Sequence, residues 1–438
     1  MVSKQRSLSF LWPGNSLITV ELQLIQPAIL DRSPPEIDVS IMSEKAFQEM
    51  GYVDPRVSGK RILCCDSDGY TTQQCQNPGH LVFSSDLDEE YAIQSVQLSS
   101  SIQTVNLQYE VDETGIYYIV ISSCDYRTHN AQITGTISSE NPFGRLPAAM
   151  FGGYLFNFVL LACYAVCLLF WLIRMGVYSS EVVSIHRLIL GLLFLATFSS
   201  FLHVLYLRRY NLSGVRSTAM LVSVSLVNVL LDTMLRVVLI IASLGMGVTS
   251  EVLPPQEWKR VAALAAAYFC AVSWNSFASD QPATSSAVDS VRLMVVSLVE
   301  AVVYFYIVYS LLSTMTVLRK RSQMAKLEFF LRLRSVLLGG FLLVTAALGL
   351  FSICVFYYYK PQMWTLQWLM NEGLSRGLDF AIILTVIILW KPSENSSAYT
   401  NRLELSTNDK ESEDVSQAPL QDIRDQEDVV VRTVNSDF

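Results

Sequence analysis

Asn141–Ile173 reads NPFGRLPAAMFGGYLFNFVLLACYAVCLLFWLI, seven turn-rich residues and then an apolar run with no charge after Arg145. A helix needs about 20 apolar residues to cross the hydrocarbon core of a bilayer, and the run from Met150 to Ile173 supplies them. This stretch divides the chain. Before it the sequence is polar and alternating; after it, as far as Trp390, apolar runs of similar length recur. They are about Leu188 to Leu207, Thr218 to Met246, Val261 to Phe277, Leu293 to Val317, Val336 to Tyr357 and Leu366 to Trp390, seven with the first. The fourth, around AALAAAYFCAVSW, is the weakest, being short and rich in alanine. Composition agrees: 51% of the 438 residues are hydrophobic and only 16% charged, which excludes an ordinary soluble protein. Three segments are expected: 1–147, a polar all-β domain; 148–390, an all-α bundle of seven membrane helices; and 391–438, a disordered C-terminal tail.

Direction follows from Lys and Arg in the short loops. With the N-terminus outside, the inner loops hold Arg174, Arg187, Lys259, Arg260, Arg319, Lys320, Arg321, Lys326, Arg332, Arg334 and Lys391, and the outer loops Arg208, Arg209, Arg216, Arg292 and Lys360. The excess predicts N-out and C-in. An outer N-terminus calls for a cleavable signal, yet MVSKQRSLSFLWPG contains only the short apolar run LSFLW, too short for a signal core. The expectation is that coding sequence precedes Met1.

The outer segment alternates in SLITVELQLIQ, TVNLQYEV, IYYIVIS and AQITGTIS, which reads as antiparallel strands of a small β-sandwich. Gly115, after Asp112, Glu113 and Thr114, suits a tight hairpin before Ile116. Cys64, Cys65, Cys75 and Cys124 all precede the first span, as disulfides in an oxidising compartment would, and three pairings are open. Adjacent Cys64 and Cys65 do not have zinc-finger spacing, so no metal is expected there. Neither His80 nor His129 sits in a catalytic context, and the domain reads as a binding module.

Ionisable residues inside spans are expensive unless they face one another, water or a ligand. The third span carries Asp232 and Arg236 at i and i+4; the seventh carries Glu372, Arg376 and Asp379 at i, i+4 and i+7, a single helical stripe. Glu300 with Tyr304 on the fifth span, and His203 on the second, lie toward the outer side. These eight residues are the candidates for a polar cavity opening outward that takes a lipid headgroup or ion. The plainer reading is that Asp232 pairs Arg236, and Glu372 or Asp379 pairs Arg376, to hold helices in register. Tyr306 and Tyr309 are placed beside Glu300 in the same cavity. Only His186 and His203 lie near the bundle, at opposite ends of one span, so zinc hydrolysis is disfavoured. The third and seventh spans end in SLGMGV and contain AIILTVIILW, without the signature elements of rhodopsin-type receptors.

The tail has eleven acidic and five basic residues, a balance of −6 out of −8 for the chain, so the remainder is nearly neutral and nucleic acid binding has no electrostatic support. It lacks the aromatic content to fold and offers adaptors an acidic surface, with Ser406 and Ser412 open to phosphorylation. The basic loop LRKRSQMAKLEFFLRLR is explained by topology and by anionic lipids. Asn211, in Asn-Leu-Ser, is a formal glycan acceptor on the outer side.

Four pieces of the chain carry a resemblance: GIYYIVISSCDY; the junction Asn141–Pro147; RVVLIIASLGMGV, with Ser243, Leu244, Gly245 and Gly247; and ILWKPSENSSAY, with Trp390, Pro392, Ser393 and Asn395. Together they resemble the GOLD-domain seven-transmembrane family, also called lung seven-transmembrane receptor-like, and its transmembrane protein eighty-seven branch, over about Asp66 to Tyr399. The resemblance implies a GOLD-like lumenal sandwich and a multipass protein of the Golgi membrane that cycles through endosomes, with the N-terminus lumenal and the C-terminus cytosolic. It implies retrograde endosome-to-Golgi trafficking, a likeness to the carrier that escorts lipidated signalling proteins, membrane lipids and lumenal protein cargo as partners, no cofactor and no enzymatic activity. A Golgi cation channel using Asp232, Glu300 and Glu372, and an orphan receptor, are the alternatives. The sequence also departs from the family: the acidic-Ala-x-Trp element of the seventh span survives only as Glu372 and Gly373. The loop before that span has no cysteine, which would leave one of the four outer cysteines unpaired, and the short N-terminus would remove the first strand.

Overall fold

The computed structural model describes residues 15–26, 36–53, 61–83, 93–98, 104–111, 113–124, 132–246, 253–278, 286–320, 324–357 and 368–392. The acidic tail, Asn395 and His129 lie outside the described residues. The described chain forms two compact units. The first takes in Met1–Leu161, Ser200–Val224 and Leu343–Gly377, the second Ala162–Ser199, Ser225–Leu342 and Leu378–Phe438.

In the first unit the alternating segments form strands. β1 (Ser16–Gln26) pairs antiparallel with β6 (Thr104–Val111) and β8 (Gln132–Glu140), and β2 (Ile37–Ser43) pairs with β5 (Gln94–Leu98) and β7 (Tyr117–Ser122). Period-2 alternation sends Ile18, Val20, Leu22 and Leu24 of β1 and Val105, Leu107, Tyr109 and Val111 of β6 into one core. Ile37, Val39 and Ile41 of β2 join that core from the other sheet. The opposite face of β2 is covered as well. Met42 packs there with α1 (Glu44–Glu49), capped by Ser43, and with Leu81. A two-stranded ribbon, β3 (Tyr52–Val53) with β4 (Arg61–Ile62), and the short helix α2 (Ser67–Thr71) complete the domain.

Two expectations change here. β6 and β7 do not form a hairpin around Gly115, because each pairs with a strand distant in sequence and they belong to different sheets. All four outer cysteines are bonded, Cys64 to Cys124 and Cys65 to Cys75, so none is left unpaired.

Among the described residues seven helical segments follow: α3 (Ala148–Val177), α4 (Ser184–Ser213), α5 (Thr218–Ser243), α6 (Pro255–Ala278), α7 (Ser286–Lys320), α8 (Met324–Tyr357) and α9 (Leu374–Leu389). Four, namely α3, α4, α5 and Ser290–Lys320 within α7, are long and apolar enough to cross a membrane. As a regular α-helix α9 has only 16 residues, about 24 Å, and a π turn, Leu369–Gly373, precedes it. In the second unit the helices converge through polar side chains. Trp171 Nε1 donates to the His186 carbonyl at 3.3 Å, and Arg174 donates to the carbonyl of Pro392, which fixes the WKP segment after α9.

The junction explains its own motif. Asn141 and Gly144 exchange backbone hydrogen bonds of 2.7 and 2.9 Å, and Asn141 Nδ2 donates to the Leu146 carbonyl. Gly144 has φ +124°, and a Cβ there would strike the Asn211 side chain. Leu146 is fully buried against Tyr206, Leu207 and Val224 of α4 and α5. Thus the sandwich is tied to two helices of the same unit by seven residues.

Candidate functional site

The eight charged and aromatic candidates are distributed over both compact units. They fall into two clusters, one in each compact unit. In the second unit the centre is Arg236 of α5. Its Nη1 donates to Asp379 Oδ1 of α9 at 3.2 Å and its Nη2 to Glu300 Oε1 of α7 at 3.3 Å. The Tyr268 ring of α6 lies 5.5 Å from the guanidinium, a cation–π distance, and Asp232, one turn earlier on α5, adds its charge. Arg236 and Asp379 are largely enclosed, with side chains 18% and 17% exposed, whereas Glu300 is 48% exposed. The Tyr304 hydroxyl donates to the Leu337 carbonyl of α8 at 2.9 Å. One arginine thus gathers three helices directly, a fourth by its ring, and the neighbouring turn of α7 reaches a fifth.

In the first unit His203 of α4 places Nε2 3.8 Å from Glu372 Oε2, with the Arg376 charge nearby. Glu372 is 56% exposed. The expected stripe of Glu372, Arg376 and Asp379 assumed an unbroken α-helix. Glu372 belongs to a π turn, in which the Leu374 N–H donates to the Leu369 carbonyl. The turn sits where Trp368 packs against α3: a Cβ at Gly152 would collide with the indole, and the Phe156 ring centroid lies 5.7 Å away. Asp379 takes Arg236 of α5, a pairing between helices. Sequence spacing reveals neighbours on one helix only, which is why the partners of Arg236 were not legible.

Among the described residues no three His, Cys, Asp or Glu side chains converge as a metal site requires; the carboxylates here converge on a cation instead. Asn211 is not presented to a glycan in a free state. Its Oδ1 accepts from the Leu146 N–H at 2.9 Å and its Nδ2 donates to the Phe143 carbonyl at 2.7 Å, so both ends of the amide hold the junction. Sequence reasoning also missed a buried carboxylate in the sandwich. Asp38, on the covered face of β2, accepts from the Leu81 N–H at 2.9 Å and from His80 Nδ1 at 3.0 Å, with Glu36 3.4 Å from the other ring nitrogen. Asp38 alternates with apolar Ile37 and Val39, and that alternation was the available signal.

Comparison with known proteins bears on the whole arrangement. An uncharacterized protein of Schizosaccharomyces pombe is 23% identical over 83% of this chain and 73% of its own length. Membrane protein PTM1 of Saccharomyces cerevisiae is 20% identical over 96% of this chain and 83% of its own. Transmembrane protein 87A of Xenopus tropicalis is 21% identical over 66% of this chain, which spans about half, 53%, of that relative. The family described as GOST, seven transmembrane domain, matches residues 154–397, more than half of the chain and all of α4 to α9. With relatives of the transmembrane protein 87 type beside that match, the chain belongs to the GOST seven-transmembrane family.

Proposed function

We propose that this protein is a non-enzymatic trafficking factor or cargo receptor of Golgi and endosomal membranes. Its sandwich, on the lumenal side, binds a protein partner, and its bundle holds a lipid or acyl chain. The observation that carries the membrane half is the exposure of two carboxylates. Glu300 stands half exposed on a helix apolar enough to span a membrane, beside Arg236, and Glu372 stands half exposed in the π turn beside His203. Lipid tails cannot solvate a carboxylate, so these positions require a polar occupant such as water or a headgroup. Family membership and the likeness to transmembrane protein 87 relatives support the cellular role. The test has two arms. Lipids extracted from full-length protein purified in mild detergent are identified by mass spectrometry, in wild type and in Glu300→Leu and Glu372→Leu. A defined co-purifying lipid lost in either variant supports the reading. In cells, deletion should slow return of Golgi-resident cargo from endosomes; unchanged sorting together with lipid-free protein would sink it.

A second reading is cation conduction. Asp232, Glu300 and Asp379 set three carboxylates around one arginine, an acidic excess in the low dielectric of a bundle. Purified protein in liposomes that carries no current at any tested pH or tension removes this reading.

A further inference from the structure

Three consecutive helices of the second unit enclose a pocket at the ends that carry most of their basic residues. It has a volume of about 340 Å³ and is lined by Leu244 just beyond α5, by Glu257 and Arg260 in the first turns of α6, and by Tyr306, Ser310 and Ser313 of α7 among others. None of these residues belongs to the Arg236 cluster. Tyr306 and Tyr309, expected beside Glu300, line this pocket.

The chemistry of the lining is one-sided. Glu257 is its one carboxylate, and both of its oxygens are engaged: Oε1 accepts from Arg260 Nη1 at 2.7 Å, and Oε2 from the Tyr306 hydroxyl at 2.8 Å. The carboxylate is therefore neutralised and its acceptors used. The Thr314 hydroxyl is committed as well, donating to the Ser243 carbonyl at 2.8 Å and holding α7 against the end of α5. What remains to meet a ligand is donors. A guanidinium carries five N–H groups, and the Arg260 side chain is 61% exposed. The serine hydroxyls of α7 stand on the same wall. Lys259 adjoins Arg260 in sequence, and Arg319 and Lys320 form the last turn of α7, so the field around the mouth is positive. The rim is apolar and outward-facing: Tyr309, Leu312 and Val317 are exposed on a helix apolar enough to cross a membrane.

We propose that this pocket binds the phosphate of an anionic phospholipid, with Arg260 and the serines of α7 holding the headgroup. The exposed residues of α7 lie along its acyl chains. Phosphate oxygens suit a site whose unspent groups are donors, and the guanidinium supplies the charge-assisted part of the bond. The apolar rim favours a lipid over a soluble phosphate. The proposal is independent of the outward-facing carboxylates at Glu300 and Glu372, since a lipid held there would meet different peptides.

The experiment places full-length protein in nanodiscs of equal parts phosphatidylcholine and phosphatidylserine, with one or the other carrying a photoactivatable headgroup, and maps the labelled peptides. Labelling of the α7 segment 306–317 should be several-fold stronger from phosphatidylserine than from phosphatidylcholine. Arg260→Gln should reduce it by about tenfold, as expected for losing one charge-assisted hydrogen bond. Ser313→Trp, at an exposed position of the lining, should block it by filling the space while leaving the melting midpoint of the protein unchanged. Equal labelling from the two lipids overturns the proposal, and that comparison needs only the wild-type protein. Labelling that survives both substitutions overturns it too. Displacement of the label by inorganic phosphate assigns the pocket to a soluble phosphate and overturns the lipid form.

Discussion

The sandwich and the helices bury opposite things. In the sandwich, β1 and β6 turn Ile, Val, Leu and Tyr inward and leave Glu, Gln and Asn outside, and covalent bonds supplement a small core. In the helices, Phe158, Val166, Phe305 and Leu343 are turned outward, while Arg236 and Asp379 are drawn inward. Water drives the first arrangement through the apolar area removed from it. A bilayer offers no such force between helices, so polar pairs and close packing do that work. The two regions should therefore fail under different insults.

The largest expected effect is in the sandwich. The Cys64–Cys124 bond closes a separation of 60 residues, joining the loop after β4 to the end of β7. In chain-entropy terms that is about 4 kcal/mol, against about 3 for the ten-residue Cys65–Cys75 loop. Cys64→Ser with Cys124→Ser should lower the unfolding transition of the sandwich sharply. The helices should keep their detergent-resistant circular dichroism; simultaneous loss of both signals would show that the regions are not separable. Next comes Asp379→Leu, which removes the more enclosed of the two carboxylates that Arg236 hydrogen-bonds and should destabilise the helices by about 3 kcal/mol. Glu300→Gln should cost less, under about 1 kcal/mol, since its side chain is half exposed. Thermal unfolding of full-length protein by helix signal checks the order.

How much was visible beforehand follows from the same contrast. Strands with one wet face announce themselves by alternation, so β1, β6, β7 and β8 were legible. β2 carries the same alternation, yet both of its faces are covered and its polar residues, Asp38 and Ser40, are buried. Strand partners were also hidden: Gly115 gave a local turn signal, but pairing with β1 and β2 is settled by core faces far away in sequence. Long apolar helices were legible in their cores, though the helix read from Val336 starts at Met324. What no periodicity count reveals is the π turn Leu369–Gly373 and the partners that Arg236 takes on α7 and α9.

Between the two regions lies the junction, and it allows the comparison to be sharpened. Asn211 lends both ends of its amide to residues 143 and 146, so Asn211→Ala removes two hydrogen bonds to half-buried backbone groups. A loss of about 2 kcal/mol is expected. Its distinctive readout is coupling: hydrogen exchange at residues 141–147 should accelerate while β1 and α5 stay protected. Protection lost throughout the sandwich would mean that the junction supports the domain itself and not just its attachment.

The smallest effect separates the regions by pH. Asp66 caps α2, accepting from the Gly69 N–H at 2.7 Å and the Tyr52 hydroxyl at 2.9 Å. Those bonds favour the charged form, the backbone one most, and hold the carboxyl below its ordinary value of 3.8. A group depressed on folding contributes stability that is fully present above its unfolded pKa and fades as pH falls through its folded one. Asp66→Asn should therefore lower the sandwich transition slightly at neutral pH, and the gap from wild type should close as pH falls below about 4. The side chain is exposed and screened, so the shift is small, and the helix signal should not register it. A gap that stays constant down to the most acid measurable point would mean that Asn caps α2 less well through geometry alone, with the carboxylate charge contributing nothing.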